Sequence, residues 1–585
     1  MMRTRWLLAI CVLAIAAPFA QQRSIDDFFR TISDDWVRMN PNLAVSTRYF
    51  SGDEQDRLEQ QLSSYTEKAR GERNAFIKRG LAELAKFDRG GMTDVQRVSA
   101  DLLRHQLEAY LEWDRYDDFQ FPFEQRGGAN VGLVTTITVS HPLRTPRDAS
   151  NYVTRLGQVG QRMSAAIADA KRLAAKDLIP PRFILDATIG QMRLFVEQPA
   201  ASNPFVTTLS ERTATIAGFP PAERAALVAK AERIVESDVR PRWREAIALL
   251  ESLVPRSSDN AGLWRFEGGA EAYAAFLKLY TTTKLTPDEI HAIGLREVAR
   301  IEKEMDAVFR SLGRTEGTVN ARWQKLVDDR AYPQTEEGRK QVMADLDAMI
   351  KDAERRAALL FDRRPRSPVI AQPYPRFREA DSAPSYLTPP LDGSRPGIFQ
   401  MTLRADYMSK PRLRTLVYHE TVPGHHFQLA LTVENTALPR FRQLRLFGGA
   451  GATTEGWGLY AEKIAAEAGW YEGDPEGLLG HLYAQLFRAR RLVVDTGIHA
   501  KRWTRQQVID YGIPVSETER YVVAPGQACS YMIGQLKILE LRDRARAALK
   551  DKYSDRVFHN AVLDPGIVPL DLLEQEVNRY IRASN

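Results

Sequence analysis

Over most of the chain, apolar residues recur at steps of three and four, the spacing that gives a helix one buried stripe. Residues 227–253 (LVAKAERIVESDVRPRWREAIALLESL) carry the pattern most fully. Pro241 is placed to kink that helix, because it lacks an N–H and crowds the preceding turn. A helix is predicted from Thr286 to about residue 312: Thr286 caps it, Pro287 suits its first turn and Glu289 completes a capping box. Further helices are expected over about 335–360 and 528–550, and Ser516-Glu517-Thr518-Glu519 reads as another capping box. Residues 363–397 break the pattern, being rich in Pro and Gly. They lead into GIFQMTL at 397–403, an alternation that predicts a strand. A free edge on this strand would be able to pair with an extended peptide. A helical pattern over 410–431 follows at once. The expected fold is mostly α, with a small β-sheet next to this helix.

Composition adds bounds. In 585 residues, 44% are apolar and 27% charged, enough for a large buried core. Residues 1–20 read as a signal peptide: Arg3 and Arg5, an apolar run over 6–17, then small residues to Ala20. The run is too short to span a bilayer, and no later segment is apolar enough. Ile10 before Cys11 argues against lipoprotein anchoring. The expected location is therefore secreted or periplasmic. Residues 21–585 read as one large domain, with soft boundaries near 260 or 365. After cleavage only Cys529 remains, so no internal disulfide is expected. Loss of Arg3 and Arg5 leaves about +4 of the formal +6. Without a basic block interleaved with aromatics, nucleic acid is not an expected partner.

The candidate chemistry lies in His419-Glu420-Thr421-Val422-Pro423-Gly424-His425-His426. Without Pro423 and Gly424 this is H-E-x-x-H, two zinc ligands and a general base. In a regular helix His425 points about 120° away from His419, and His426 lies about 10 Å along the axis. Neither could then share a zinc with His419, whose Zn–N bonds are about 2.0–2.1 Å. Pro423 cannot donate to the carbonyl of His419, so the helix must bend or bulge there. If Pro423 and Gly424 loop out, His425 falls where the second ligand belongs and is preferred over His426. Glu420 is the expected general base. For the third ligand Glu455, early in the next helix, is chosen; Glu462, two turns on, is the alternative, and Glu434 would reach away. Three of only nine histidines falling within eight residues strengthens the reading.

HETVPGHH, the downstream TTEGWGLYAE, the upstream LDGSRPG and the later PGQACSYMIGQLKI together resemble a bacterial domain-of-unknown-function family in the zincin-like metallopeptidase clan. The resemblance covers most of the chain and implies a large α-helical zincin-like fold. It implies Zn²⁺ held by His419, His425 and Glu455, with Glu420 as base. Asp495 and His499, four apart, are candidates to orient a ligand histidine or bind substrate. Tyr531 is a candidate oxyanion donor, with Gln527 four residues before it. Arg491 or Arg395 is a candidate grip for a substrate's terminal carboxylate. The function expected is a secreted zinc metallopeptidase acting on short peptides. A metal-dependent hydrolase of non-peptide amides or esters, and a binding protein with a vestigial site, are its rivals.

Overall fold

The computed structural model describes residues 23–374, 376–379 and 382–584, so the signal-peptide reading and Cys11 lie outside the described residues. The chain is mostly α-helical with one three-stranded sheet. Its apolar core has two main parts. The larger draws on residues 25–107 and 263–577, running unbroken across residue 365; the second is built from residues 123–253 together with Leu62. No helix among the described residues is long and apolar enough to cross a membrane.

Local chemistry sets the helix boundaries. Thr286 accepts from the N–H of Glu289, and Glu289 accepts from the N–H of Thr286, at the start of a helix over Pro287–Ser311. Before Pro241 the chain forms a π turn over Val235–Val239, between helices Pro221–Ile234 and Arg240–Leu253. The wider turn absorbs the carbonyl that proline cannot bond. Ser516 is not a cap. The chain enters the helix Val515–Val523 from the extended Pro514, so Ser516 lies inside the first turn. Glu519 pairs with Arg505 at 2.7 Å instead of reaching back.

The strands are β1 (Val369–Pro373), β2 (Ser385–Leu387) and β3 (Gly397–Met401), in the order β1-β3-β2. β3 runs parallel to β1, with Ala371 opposite Phe399, and antiparallel to β2, with Tyr386 opposite Phe399. The strand read from the sequence is thus central and has no free edge. The expected peptide-pairing edge is corrected: Val369, 28 residues upstream of its partner Gly397, and Ser385, 15 residues upstream of its partner Gln400, begin the strands that occupy the two sides.

Five helices position the site. They are α1 (Lys410–Glu420), α2 (His425–Glu434), α3 (Gly451–Glu467), α4 (Pro475–Ala500) and α5 (Ser530–Leu549). α1 packs against α3 and α4, and α3 lies along α5. The α3–α5 crossing is so close that a Cβ on Gly456 would sit 2.4 Å from the backbone of Gly534.

Three histidines away from the octet are locked neutral. His141 must accept from Arg155 (3.0 Å) while its other nitrogen faces the Asp148 carbonyl (2.9 Å). His499 accepts from the Leu263 N–H (3.2 Å) and donates to the Tyr521 carbonyl (2.9 Å). His559 bridges the Leu360 carbonyl and the Tyr460 hydroxyl. Burial lowers their pKa values to about 4, 3 and 4. A depressed folded-state pKa stabilises above the unfolded value of about 6.5 and is lost as pH falls. We expect stability to drop between pH 7 and pH 5, by roughly 1.4 kcal/mol per pH unit per histidine once below that value. Thermal unfolding midpoints measure this, and a flat midpoint over the range would contradict it.

Candidate metal centre

The octet does not form one bulged helix. α1 ends at Glu420 and α2 begins at His425, with residues 421–424 between them. This corrects the single helix expected over 410–431. The break is held from outside, since the Trp457 indole N–H donates to the carbonyls of Pro423 (2.9 Å) and Gly424 (3.2 Å). Gly424 is needed for closeness more than for flexibility: a Cβ there would lie 1.9 Å from the His419 carbonyl oxygen.

The break turns His425 back towards His419, with ring centroids 4.7 Å apart at 80°. Glu455 reaches both rings. Its Oε2 stands 3.6 Å from His419 Nε2 and 3.4 Å from His425 Nε2. Donor atoms of the three residues all lie within 4.8 Å of one another. Two atoms bound to one tetrahedral zinc at about 2.0–2.1 Å stand roughly 3.3 Å apart, so the two carboxylate–histidine distances fit a shared ion. His426 faces the other way, its Nδ1 2.9 Å from the Tyr386 hydroxyl on β2.

His419 is gripped on both nitrogens by one face of α3. Nδ1 donates to Glu462 Oε1 at 2.7 Å, which leaves Nε2 facing Glu455. Glu462 is fully buried, with Arg488 and His481 each 3.8 Å from its carboxylate. It is the carboxylate that orients the His419 ring. Sequence reasoning offered it as an alternative ligand and missed this role; its seven-residue spacing from Glu455, two turns on one face, was the available signal. Between them, Gly458 lets the imidazole lie on the helix, since a Cβ would come within 2.7 Å of His419 Cε1.

The electrostatics favour a cation. Burial would lower the His419 pKa, but hydrogen bonding to Glu455 and Glu462 pushes it up to about 10. Burial would raise Glu455, yet the two histidines hold it well below the usual carboxylate range. Burial would raise Glu462 too, and Arg488 and His419 override it. Glu420, Glu455 and Glu462 bring three carboxylates against the one guanidinium of Arg488, an excess that raises the His419 pKa and that a bound cation would also offset. Oε2 of Glu420 and Nδ1 of His425 are buried without hydrogen-bond partners among the described residues, as unfinished polar groups at a functional site often are.

The family described as "Bacterial protein of unknown function (DUF885)" matches residues 46–577. The chain belongs to this family. A crystal structure described as a "putative lipoprotein" from Colwellia psychrerythraea aligns at TM-score 0.89 and 29% identity, covering 95% of this chain and 99% of that one. A Shewanella oneidensis structure, a "putative lipoprotein of unknown function", aligns at TM-score 0.69 and 18% identity over 94% and 99%, a likeness of fold. A search of curated proteins returns no match.

The other candidates from the sequence are dispersed in this DUF885 chain. Tyr531 lies beside the cluster, its ring nearly parallel to His419 at 6.4 Å between centroids. Its hydroxyl accepts from Arg520 (3.3 Å), which also donates to Gln527 (2.6 Å). Arg520 and Gln527 line a cavity of about 1340 Å³. The His–His–Glu cluster does not line that cavity; Tyr531 joins the two. Arg491 packs over the Tyr531 ring at 4.5 Å and pairs with Glu517 at 2.8 Å. Asp495 does not orient a ligand histidine. It accepts from the Tyr273 hydroxyl (2.7 Å) and the Gly526 N–H (3.0 Å), fixing the turn before Tyr531. His499 is used by Leu263 and Tyr521, and Arg395 by the carbonyls of Pro396 and Thr388. Glu434 accepts the N–H groups of Arg366 and Ser367.

A methyl group at Gly458 must displace the His419 ring from its carboxylates. We expect Gly458→Ala to keep the helical content but weaken zinc binding about 10- to 100-fold, as loss of an orienting partner does. Competition against a calibrated chelator measures it, and unchanged affinity would remove Gly458 from the site.

Proposed function

We propose that the protein is a zinc-dependent peptidase acting outside the cytoplasm, on a zincin-like active site. The observation that carries the reading is the convergence of His419, His425 and Glu455 at zinc-compatible spacing, with Glu420, next to His419 in the chain, keeping its Oε2 buried and unpartnered. Bound zinc would supply Lewis-acid polarisation of a carbonyl and acidify water. The protein's own groups do the rest. Glu420 Oε2 takes the proton from the attacking water and passes it to the leaving amine. Glu462 keeps His419 in the tautomer whose Nε2 is available, and Arg488 keeps Glu462 ionised. The Tyr531 hydroxyl donates to the oxyanion that develops on the scissile carbonyl. Arg520, by donating to the phenol oxygen, makes that O–H a stronger donor. A cavity of about 1340 Å³, bordered by Arg520 and Gln527 and not by the His–His–Glu cluster itself, would hold a short peptide next to the site.

Two experiments test this reading. Purified protein is expected to carry about one zinc per chain, and Glu420→Gln to retain it while losing at least 100-fold in hydrolysis of a peptide pool. An unaffected rate in that variant would sink the mechanism. Location has a second reading, favoured by the description of the Colwellia psychrerythraea structure: a lipid on Cys11 in place of cleavage near Ala20. Intact-mass analysis of the exported protein decides it. A mass matching release near residue 20 supports the free form, and a diacylated Cys11 terminus supports the anchor.

A further inference from the structure

Next to the metal cluster the charge changes sign. Glu517 is buried, and three guanidinium groups converge on its one carboxylate: Arg491 at 2.8 Å, Arg520 at 3.4 Å and Arg126 at 3.9 Å. The Tyr521 hydroxyl donates to the same carboxylate at 3.1 Å. The other acids nearby do not balance the count. Glu519 is taken by Arg505, and Glu124 accepts the backbone N–H groups of Arg126 and Gly127. Even with Glu124 counted, the cluster remains positive. Nη1 of Arg491 is buried and has no hydrogen-bond partner among the described residues. Buried guanidinium groups in excess of their carboxylates are costly unless an anion completes them. Arg126, Arg520 and Gln527 line the large cavity, and Arg520 also touches Tyr531, whose ring faces His419.

We propose that Arg126, Arg491 and Arg520 form a carboxylate-recognition subsite that takes the free C-terminal carboxylate of a peptide, so that the enzyme removes residues from the C-terminal end. The proposal rests on the peptidase reading. A planar guanidinium fork pairs with a carboxylate through two parallel hydrogen bonds, a match of shape as well as charge. Tyr531 separates this subsite from the cluster by one side chain. A terminal carboxylate at the arginines would place the last peptide bond at Tyr531, whose ring faces His419. Hydrolysis breaks that C–N bond: water gives its oxygen to the acyl carbon and a proton to the departing amine. The products are a shortened peptide and a free amino acid.

The test uses the zinc-loaded chain and mixed-sequence hexapeptide pools. One pool has free C-terminal carboxylates, the second is amidated, and the third is amidated with Asp or Glu in last place. Mass spectrometry is expected to show trimming of the first pool from its C-terminal end, at least 10-fold faster than either amide. Arg126→Gln, on the cavity wall, and Arg520→Gln are expected to erase this preference mainly by raising KM. Equal cleavage of acid and amide pools overturns the subsite. Preferred cleavage of the third pool overturns the C-terminal assignment, giving the arginines an acidic side chain instead. Retention in equilibrium dialysis against zinc-loaded Glu420→Gln keeps the question answerable without turnover. A 10-fold preference for the acid pool, lost in the added Arg126→Gln, supports the subsite; equal retention or none overturns it. Acid-selective retention with no cleavage of any pool by the unmodified chain refutes the peptidase reading alone.

Discussion

One imidazole held by one helix face organises the site. Glu455, Gly458 and Glu462 are spaced three and four apart, so they share a side of α3. The two carboxylates meet opposite nitrogens of His419, and the glycine between them gives its ring room. A histidine so held has little freedom, because moving the ring breaks an ion pair whichever way it turns. Its burial would be costly without these partners, since each polar atom taken from water needs a replacement. The grip therefore fixes where α1 must end and how it faces α3.

The four residues 455–458 divide the remaining work. Glu455 points to the two histidines, Gly456 allows the backbone contact with Gly534 on α5, Trp457 holds the carbonyls of the chain break, and Gly458 receives His419. The α5 contact matters because it delivers Tyr531 to the rim of the cluster. The indole contact matters because residues 421–424 have backbone carbonyls outside any helix, which must be satisfied where water is excluded. A single turn of α3 thus joins the ligand set, the break and the neighbouring helix, and no one of these could shift without the others.

The octet itself was legible because helix geometry forbids it. His419 and His425 cannot share an ion in a regular helix, and Pro423 shows where regularity fails. The full separation into α1 and α2 was not legible, since it depends on Trp457, 34 residues from Pro423 in sequence. Long helices with strong caps, such as the one beginning at Thr286, were legible because their signals are local. Ser516 carried the same local signal and failed, because Pro514 had already set the chain into the helix. Strand order is a long-range property, so the central place of β3 could not be read from its own five residues. Glu462 was visible as an acid on the right face, but its task depends on which nitrogen of His419 Glu455 leaves free. Residues 126, 491 and 520 show no periodicity with one another, and only the fold brings them to Glu517.

The site pairs two opposite imbalances of charge. Three carboxylates outnumber the one guanidinium at the histidines, and three guanidiniums outnumber the carboxylate at Glu517. Neither excess helps the fold, because buried charge without a partner opposes folding. Cross-compensation is incomplete as well: Tyr531 stands between the clusters, and Arg488 is the only one of these arginines paired with Glu462. A structure optimised for stability alone would have matched the charges or replaced them with apolar side chains. Local conflicts of this kind mark functional sites, where the missing partner arrives from solution. The two deficits differ in what would fill them. At the histidines the spacing suits a small cation, and at the arginines the planar donors suit a carboxylate. A cation at the first and a carboxylate-bearing ligand at the second would complete the two deficits together, each partner removing the charge that opposes burial of the side chains around it.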